Sequence, residues 1–369
     1  MNLQQLAKTA EVQINNLVNL NRAKGWDKRI LTRISNRNVL TKEQINLIHE
    51  FFKPYHNVSV ISHTFYTEKT DNFHVNYIPD SLWYGFIDSY YNPKNVALCL
   101  DNKCFYSRIL KCEKIEINHP TIIAYRSNGF YLSPDFKPLT QEEVKTRCMN
   151  SGDSIFIKAA TDSCGGFGVK YFDCKKPKEE LELILRNAGA DIVIQKGIIQ
   201  HPMMSALCES SVNTVRFLTL TRTDGTVKMY SAIVRMGNAG AKVDNASSGG
   251  ITCGLDKSGN LKAVGYTSKG ERFEHHPTNH FNFSGKYIPN FSKIKDAVCQ
   301  LAWLIPQCRL LSWDIAIGED GMPILIEVNM RSGQLDFHQL NNGPVFGEDT
   351  EDILDEVFHH PMPHSLRLF

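Results

Sequence analysis

Through residues 1–55 the apolar positions fall at helical spacing, with Leu17, Leu20, Ile30, Leu31 and Ile34 set in an Asn- and Lys-rich stretch. Thr41 followed by Gln44 offers a capping box that opens a second helix, so the pattern predicts a helical N-terminal region. Across 56–150 the pattern is mixed. Short β-rich runs at 58–61, 96–100 and 121–125 alternate with helical pieces such as 140–148, as in an α/β unit. Two runs at 154–158 and 169–172 read as strands flanking a glycine-rich turn, followed by a helix over 177–187 and a strand over 191–195. Beyond 205 the segments TVRFLTLTRT, TVKMYSAIVRMG and GGITCGLDKSGNLKAVGYT predict antiparallel ribbons, and a helix over 291–304 leads into a final hairpin. The expected organisation is an α/β (α+β) chain in four parts, 1–55, 56–150, 151–204 and 205–369, without internal repeats.

The final hairpin, LSWDIAIGEDGMPILIEVN over 311–329, carries the sharpest chemistry. A two-residue Asp320-Gly321 turn would place Asp314 directly opposite Glu327. Like charges across a ladder repel, whereas a bound cation would turn the repulsion into ligation, with Asn329 adding a neutral oxygen on the same face. Ile315, Ile317, Ile324, Ile326 and Val328 would then take the buried face. The plain alternative is a solvated hairpin whose outer face is acidic.

Composition narrows the class. The chain has 369 residues, is 42% hydrophobic and carries a net charge of +2, which argues for a soluble protein of two or three domains and against a nucleic-acid or membrane surface. The start lacks the apolar run of a signal peptide, and no later segment approaches roughly 18 uncharged apolar residues, so a cytoplasmic protein is expected. Ten cysteines occur without a CxxC pair, which fits reduced thiols. The histidines are isolated or adjacent in pairs, a poor arrangement for joint metal ligation.

A second motif is IFIKAATDSCGGFGV (155–169), an apolar strand ending in Lys158 and followed by Gly165, Gly166 and Gly168. Glycines let backbone N–H groups approach a phosphate chain, and the lysine supplies charge; the GK[ST] ending of a Walker loop is absent. Acids suited to Mg²⁺ and a cradle suited to phosphates predict one ligand, a metal-bound nucleoside triphosphate. Between them, IVIQKGII (192–199) could offer backbone groups to an adenine edge, or be a core strand. Arg216 and Arg235 stand on strands in apolar company and need anionic partners, for which Asp244, Asp314 and Glu327 are candidates. The DNASSGG loop (244–250) is a turn or a substrate loop.

Together, a lysine before a glycine-rich β-loop-β, a hinge strand and WDIAIGEDGMPILIEVN (313–329) resemble the ATP-grasp superfamily, and SVNTVRFLTL (211–220) with the VDN…GG loop (243–250) resembles its sugar-transfer-associated branch, over about residues 75–345. The resemblance implies an ATP-grasp fold in which two α/β subdomains clasp ATP. It implies that Lys103 and Lys158 contact the phosphates, that Ser163, Gly165, Gly166, Phe167 and Gly168 cover them, and that Gln195, Lys196 and Ile198 border the adenine. Asp314, Glu327 and Asn329 would hold Mg²⁺, Arg216 and Arg235 would stabilise the transferred phosphoryl group, and Asn213, Asp244, Asn245, Gly249, Gly250 and Arg331 would meet the substrate. Gln195 departs from the glutamate many relatives carry, and Ser332 from a common proline. The activity implied is an ATP-dependent carboxylate–amine ligase acting on small, possibly sugar-linked, carboxylate and amine substrates; a phosphotransferase to a hydroxyl group and a nucleotide-binding module without turnover are the alternatives.

Overall fold

A computed structural model describes residues 3–110, 112–161, 168–238, 240, 244, 249–331 and 333–360. The β-rich runs pair into two sheets in which every pairing between strands is antiparallel. The first sheet contains β1 (Ile122–Ser127), β2 (Phe130–Leu132), β3 (Pro138–Leu139), β4 (Ser154–Ala159), β5 (Lys170–Asp173) and β6 (Ile192–Lys196), in the order β3-β2-β1-β6-β4-β5. The second contains β7 (Thr214–Thr221), β8 (Val227–Met236), β9 (Ile251–Leu255), β10 (Leu261–Thr267), β11 (Arg272–Phe273), β12 (Leu310–Ile317) and β13 (Pro323–Asn329), in the order β11-β10-β9-β8-β7-β12-β13. The expected boundary near 150 falls inside the first sheet, which draws strands from both sides of it.

In the first sheet Ile155, Ile157, Ile192 and Ile194 pack one face against Val144 and Cys148 of helix Gln141–Met149 and Leu181 and Leu185 of helix Lys178–Arg186. Thr140 and Glu143 close a capping box on the first of these helices. The opposite face carries Lys158 and Gln195. There Cys104, from helix Lys103–Ile109, packs with Val193, Tyr125 and Ala160.

The second sheet is apolar on one face and divided on the other. Val215, Phe217, Val234, Trp313, Ile315, Leu325 and Val328 lie in the core beneath helix Phe291–Leu301. On the other face β7 changes character along its length. Thr214 and Arg216 lead to Leu218 and Leu220, and these leucines are buried by an N-terminal helical region that extends past the expected 1–55, through Ile48, Phe52, Trp83 and Ile87.

Two predicted strands do not form: 58–60 is irregular chain leading into helix Ile61–Thr70, and 96–100 lies in helix Lys94–Leu100. Pro93 stands immediately before the latter, where its fixed φ suits a helix start, and Ala97 is buried one turn on. The last hairpin also differs from expectation. Ile317 pairs with Pro323 across a longer loop in which Gly318 N–H donates to Met322 O at 2.9 Å and Gly321 takes φ 80°. Ile315 pairs with Leu325, yet Asp314 pairs with Glu327, so Ile326 is an extra, bulged residue. The bulge restores the facing carboxylates while placing Leu325, rather than Ile324 or Ile326, in the core.

The segments that enter and leave the first sheet both dock on this hairpin. Asn118 exchanges backbone bonds with Pro323 and Leu325, while His201 N–H donates to Ile317 O and Glu319 N–H to Ile199 O. No helix among the described residues is long and apolar enough to cross a membrane.

Candidate active site

Register alone brings the first charges together: Asp314 on β12 is flanked by Arg216 on β7 and Glu327 on β13. Arg216 grips Asp314 with a fork, Nε to Oδ1 at 2.7 Å and Nη2 to Oδ2 at 2.6 Å. Arg235, opposite Thr214 at the end of β8, donates from Nη1 to Asp314 Oδ2 at 2.8 Å and lies 3.5 Å from Asp244 Oδ1. Thr214 Oγ1 donates to Asp244 Oδ2, and Asn329 Nδ2 donates to Asp314 Oδ2 at 3.3 Å. All four charged groups, Arg216, Arg235, Asp244 and Asp314, are buried.

Helix Lys103–Ile109 lies between the sheets and supplies the charge opposite Glu327. Asn102 caps it by accepting from Cys104 N–H, Lys103 N–H donates to Ala160 O after β4, and Tyr106 OH donates to Val328 O on β13. Tied to both sheets, the helix delivers Lys103 Nζ to Glu327 Oε1 at 3.0 Å. The carboxylates foreseen as a repelling pair are thus each balanced by cations from other elements.

Electrostatics follow the geometry. Burial raises the Asp314 carboxyl, but Arg216 and then Arg235 more than offset this and hold it well below the usual range. Burial pulls Arg235 down, yet Asp244 and Asp314 raise it on balance. Burial pushes the Asp244 carboxyl up despite Arg235. Burial, and then the nearby Lys103, push the Lys158 ammonium down to about 8 against the pull of Glu327 and Asp244.

The structure therefore gathers Lys103, Lys158, Arg216, Arg235, Asp244, Asp314, Glu327 and Asn329 in the cleft between the sheets. Gln195 is buried on β6 opposite Phe156, Lys196 is exposed, and Ile198 is half-buried in the connection that follows. Arg331 is half-buried and Gly250 buried, whereas Gly168 and Gly249 take positive φ in turns. Ser163, Gly165, Gly166, Phe167 and Asn245 lie outside the described residues. Asn213, expected at the substrate, is fully buried, donates from Nδ2 to Met204 O at 2.7 Å and Cys208 O at 2.8 Å, and accepts from Ser211 Oγ. Its carboxamide is consumed in fastening the loop before β7. The residue that sequence reasoning missed is Gln334, whose Oε1 accepts from Arg216 Nη1. Only its nearness to the acidic hairpin could have hinted at it, since nothing local predicts its backbone of φ 58° and ψ 64°.

The donors suit a hard cation: two carboxylates and a carboxamide oxygen, the set that Mg²⁺ takes. Asp314 Oδ2 already accepts from three protein donors, so its negative charge is at present balanced by arginine. Glu327 Oε2 accepts from none of the described residues. Among the described residues, no group of three or more His, Cys, Asp or Glu side chains is placed to hold a metal ion.

A model of the sugar-transfer associated ATP-grasp family matches residues 86–354. The chain belongs to that family. The ATP-grasp fold accounts for the two antiparallel sheets meeting at a cleft, with the charged cluster between them. None of the curated proteins matches the sequence. Among solved structures, the biotin carboxylase domain of 2-oxoglutarate carboxylase from Hydrogenobacter thermophilus, in complex with MgADP, ADP and bicarbonate, is 16% identical over 73% of this chain and 48% of its own, with a TM-score of 0.42. The D-Ala:D-Ser ligase VanG from Enterococcus faecalis is 13% identical over 73% of this chain and 64% of its own, with a TM-score of 0.45. The ATP-grasp ligase PsnB, complexed with a minimal precursor, is 15% identical over 72% and 64%, with a TM-score of 0.42. The chain thus spans 48% to 64% of the length of these relatives.

Proposed function

We propose that the chain is an ATP-dependent carboxylate–amine ligase that forms an amide through an acyl phosphate, releasing ADP and phosphate, and that its substrates belong to glycan or glycoconjugate assembly. The observation that carries this reading is the cation-rich cleft: Lys103, Lys158, Arg216 and Arg235 face Asp244, Asp314 and Glu327 between the two sheets. Such a site is preorganised for a polyanion whose charge redistributes during phosphoryl transfer.

In this reading Lys103 and Lys158 bind the ATP phosphates, with the backbone of the glycine loop covering them. Asp314, Glu327 and Asn329 would hold Mg²⁺, which supplies Lewis-acid stabilisation of phosphate charge when bound. A carboxylate oxygen of the first substrate attacks the γ-phosphorus, and the bond to the ADP oxygen breaks. Arg216 and Arg235, aligned by Asp314, stabilise the transferring phosphoryl oxygens. The amine nitrogen then attacks the acyl carbon, phosphate leaves with the electron pair, and the nitrogen loses a proton. In the same reading Asp244, held by Thr214 beside Arg235, would meet the second substrate together with Gly249, Gly250 and Arg331, and Gln195, Lys196 and Ile198 would border the base.

The family's association with sugar transfer supports glycan-linked substrates. The nine cysteines among the described residues are free thiols, which supports a reducing, cytoplasmic setting. ADP release measured across panels of carboxylates, amines and sugars tests the chemistry. Turnover that requires a carboxylate and an amine together, with an amide as product, is expected. Turnover on a single hydroxyl compound, giving a phosphate ester, would establish a phosphotransferase instead.

A further inference from the structure

We propose that the N-terminal region is a positioning element of this site, in which Arg33 and Tyr84 clamp the start of helix Leu335–Asn342 so that Gln334 holds Arg216 in place. The inference rests on the reading that Arg216 serves phosphoryl transfer.

Gln334 adopts a left-handed backbone, φ 58° and ψ 64°, that a side chain with a Cβ rarely takes unless its surroundings impose it. Its carboxamide oxygen accepts from Arg216 Nη1, the donor left over once Nε and Nη2 have bound Asp314. The two residues that follow are both held from outside their helix. Leu335 N–H donates to Tyr84 OH at 3.2 Å, and Asp336 Oδ2 accepts from Arg33 Nη1 at 2.7 Å. One turn further on, Gln339 exchanges bonds with both backbone groups of Ile78, each at 2.9 Å. Tyr84 is fixed in turn: its ring stacks on Trp26 with centroids 3.6 Å apart and planes 11° apart, and its carbonyl accepts from Arg22. Arg33, Ile78 and Tyr84 precede residue 86, where the family match begins. A region outside the matched segment therefore grips the residues next to the one that steers a site arginine.

The clamp predicts coupling that a merely structural contact would not show. Arg33→Ala and Tyr84→Phe should each lower kcat about tenfold while leaving KM for ATP within about twofold, because the phosphates are bound elsewhere. Gln334→Ala should do the same, and adding Arg33→Ala to it should cost little more, because both changes break one chain of contacts. Arg33→Lys, which keeps a cation for Asp336, should recover much of the loss. Hydrogen exchange gives a readout independent of turnover: the amides of 335–337 should exchange faster in Arg33→Ala and Tyr84→Phe while those of β7 and β12 stay protected. Additive losses in the Arg33/Gln334 pair, or unchanged exchange at 335–337, would overturn the clamp. A wild-type protein that turns over no carboxylate–amine pair would instead count against the ligase reading, and the exchange result would still judge the clamp on its own.

Discussion

At the scale of single residues, Asp314 and Glu327 face each other yet differ in what they support. Asp314 is the shared anion of two buried arginines, so Asp314→Asn leaves both with too little charge to pair and should destabilise the fold by about 3–5 kcal/mol. Glu327 meets a single lysine, its own side chain is 24% exposed, and a glutamine there still offers Lys103 an acceptor, so Glu327→Gln should cost less, about 1–2 kcal/mol, while abolishing turnover. Chemical denaturation of the two variants side by side checks the contrast; equal losses would show that Glu327 is a structural acid. Lys158 sets a pH dependence. With its ammonium pushed down to about 8, the free protein loses this cation as pH rises through that value, and ATP binding should weaken there but not between pH 6 and 7. Titration of ATP from pH 6 to 9.5 reads the effect, and a Lys158→Met protein should show no step near 8. The acids and arginines were legible because each residue type demands a partner of opposite charge. Which partner each takes was not: Lys103, which the family resemblance sets on the phosphates, holds Glu327, and that contact depends on a helix lodged between two sheets.

At the scale of elements, the last hairpin shows how a local rule can reach the right pairing by the wrong route. Asp-Gly favours a two-residue turn, and that turn alone would set Asp314 against Glu327. The loop is in fact longer, residues 199–201 bond beside it, and the bulge at Ile326 takes up the difference. The two registers bury different residues. Leu325→Ala should cost about 2–5 kcal/mol, as for a core leucine, while Ile324→Ala, on a half-buried side chain, should cost clearly less. Unfolding midpoints for the pair would reverse this order if the hairpin were regular. Long periodic segments such as β7, β8 and helix Phe291–Leu301 were readable because many side chains repeat one signal. The runs at 58–61 and 96–100 were too short to distinguish a strand from a helical turn or the chain that leads into a helix.

At the scale of the whole molecule, the pieces of the site come from both sheets, from the helix between them and, through Gln334, from the N-terminal region. The fold class was readable because the charged blocks occur in the order of a known family, whereas the service of the N-terminal region to the cleft was not. Arg33 and Asp336 lie 303 positions apart, and no local pattern couples them. The central claim is that ATP activates a carboxylate in this cleft. Its most direct test labels both carboxylate oxygens of a turned-over substrate with oxygen-18 and follows the label by mass spectrometry. Amide formation through an acyl phosphate predicts one labelled oxygen in each phosphate released. Product formed with unlabelled phosphate would contradict it.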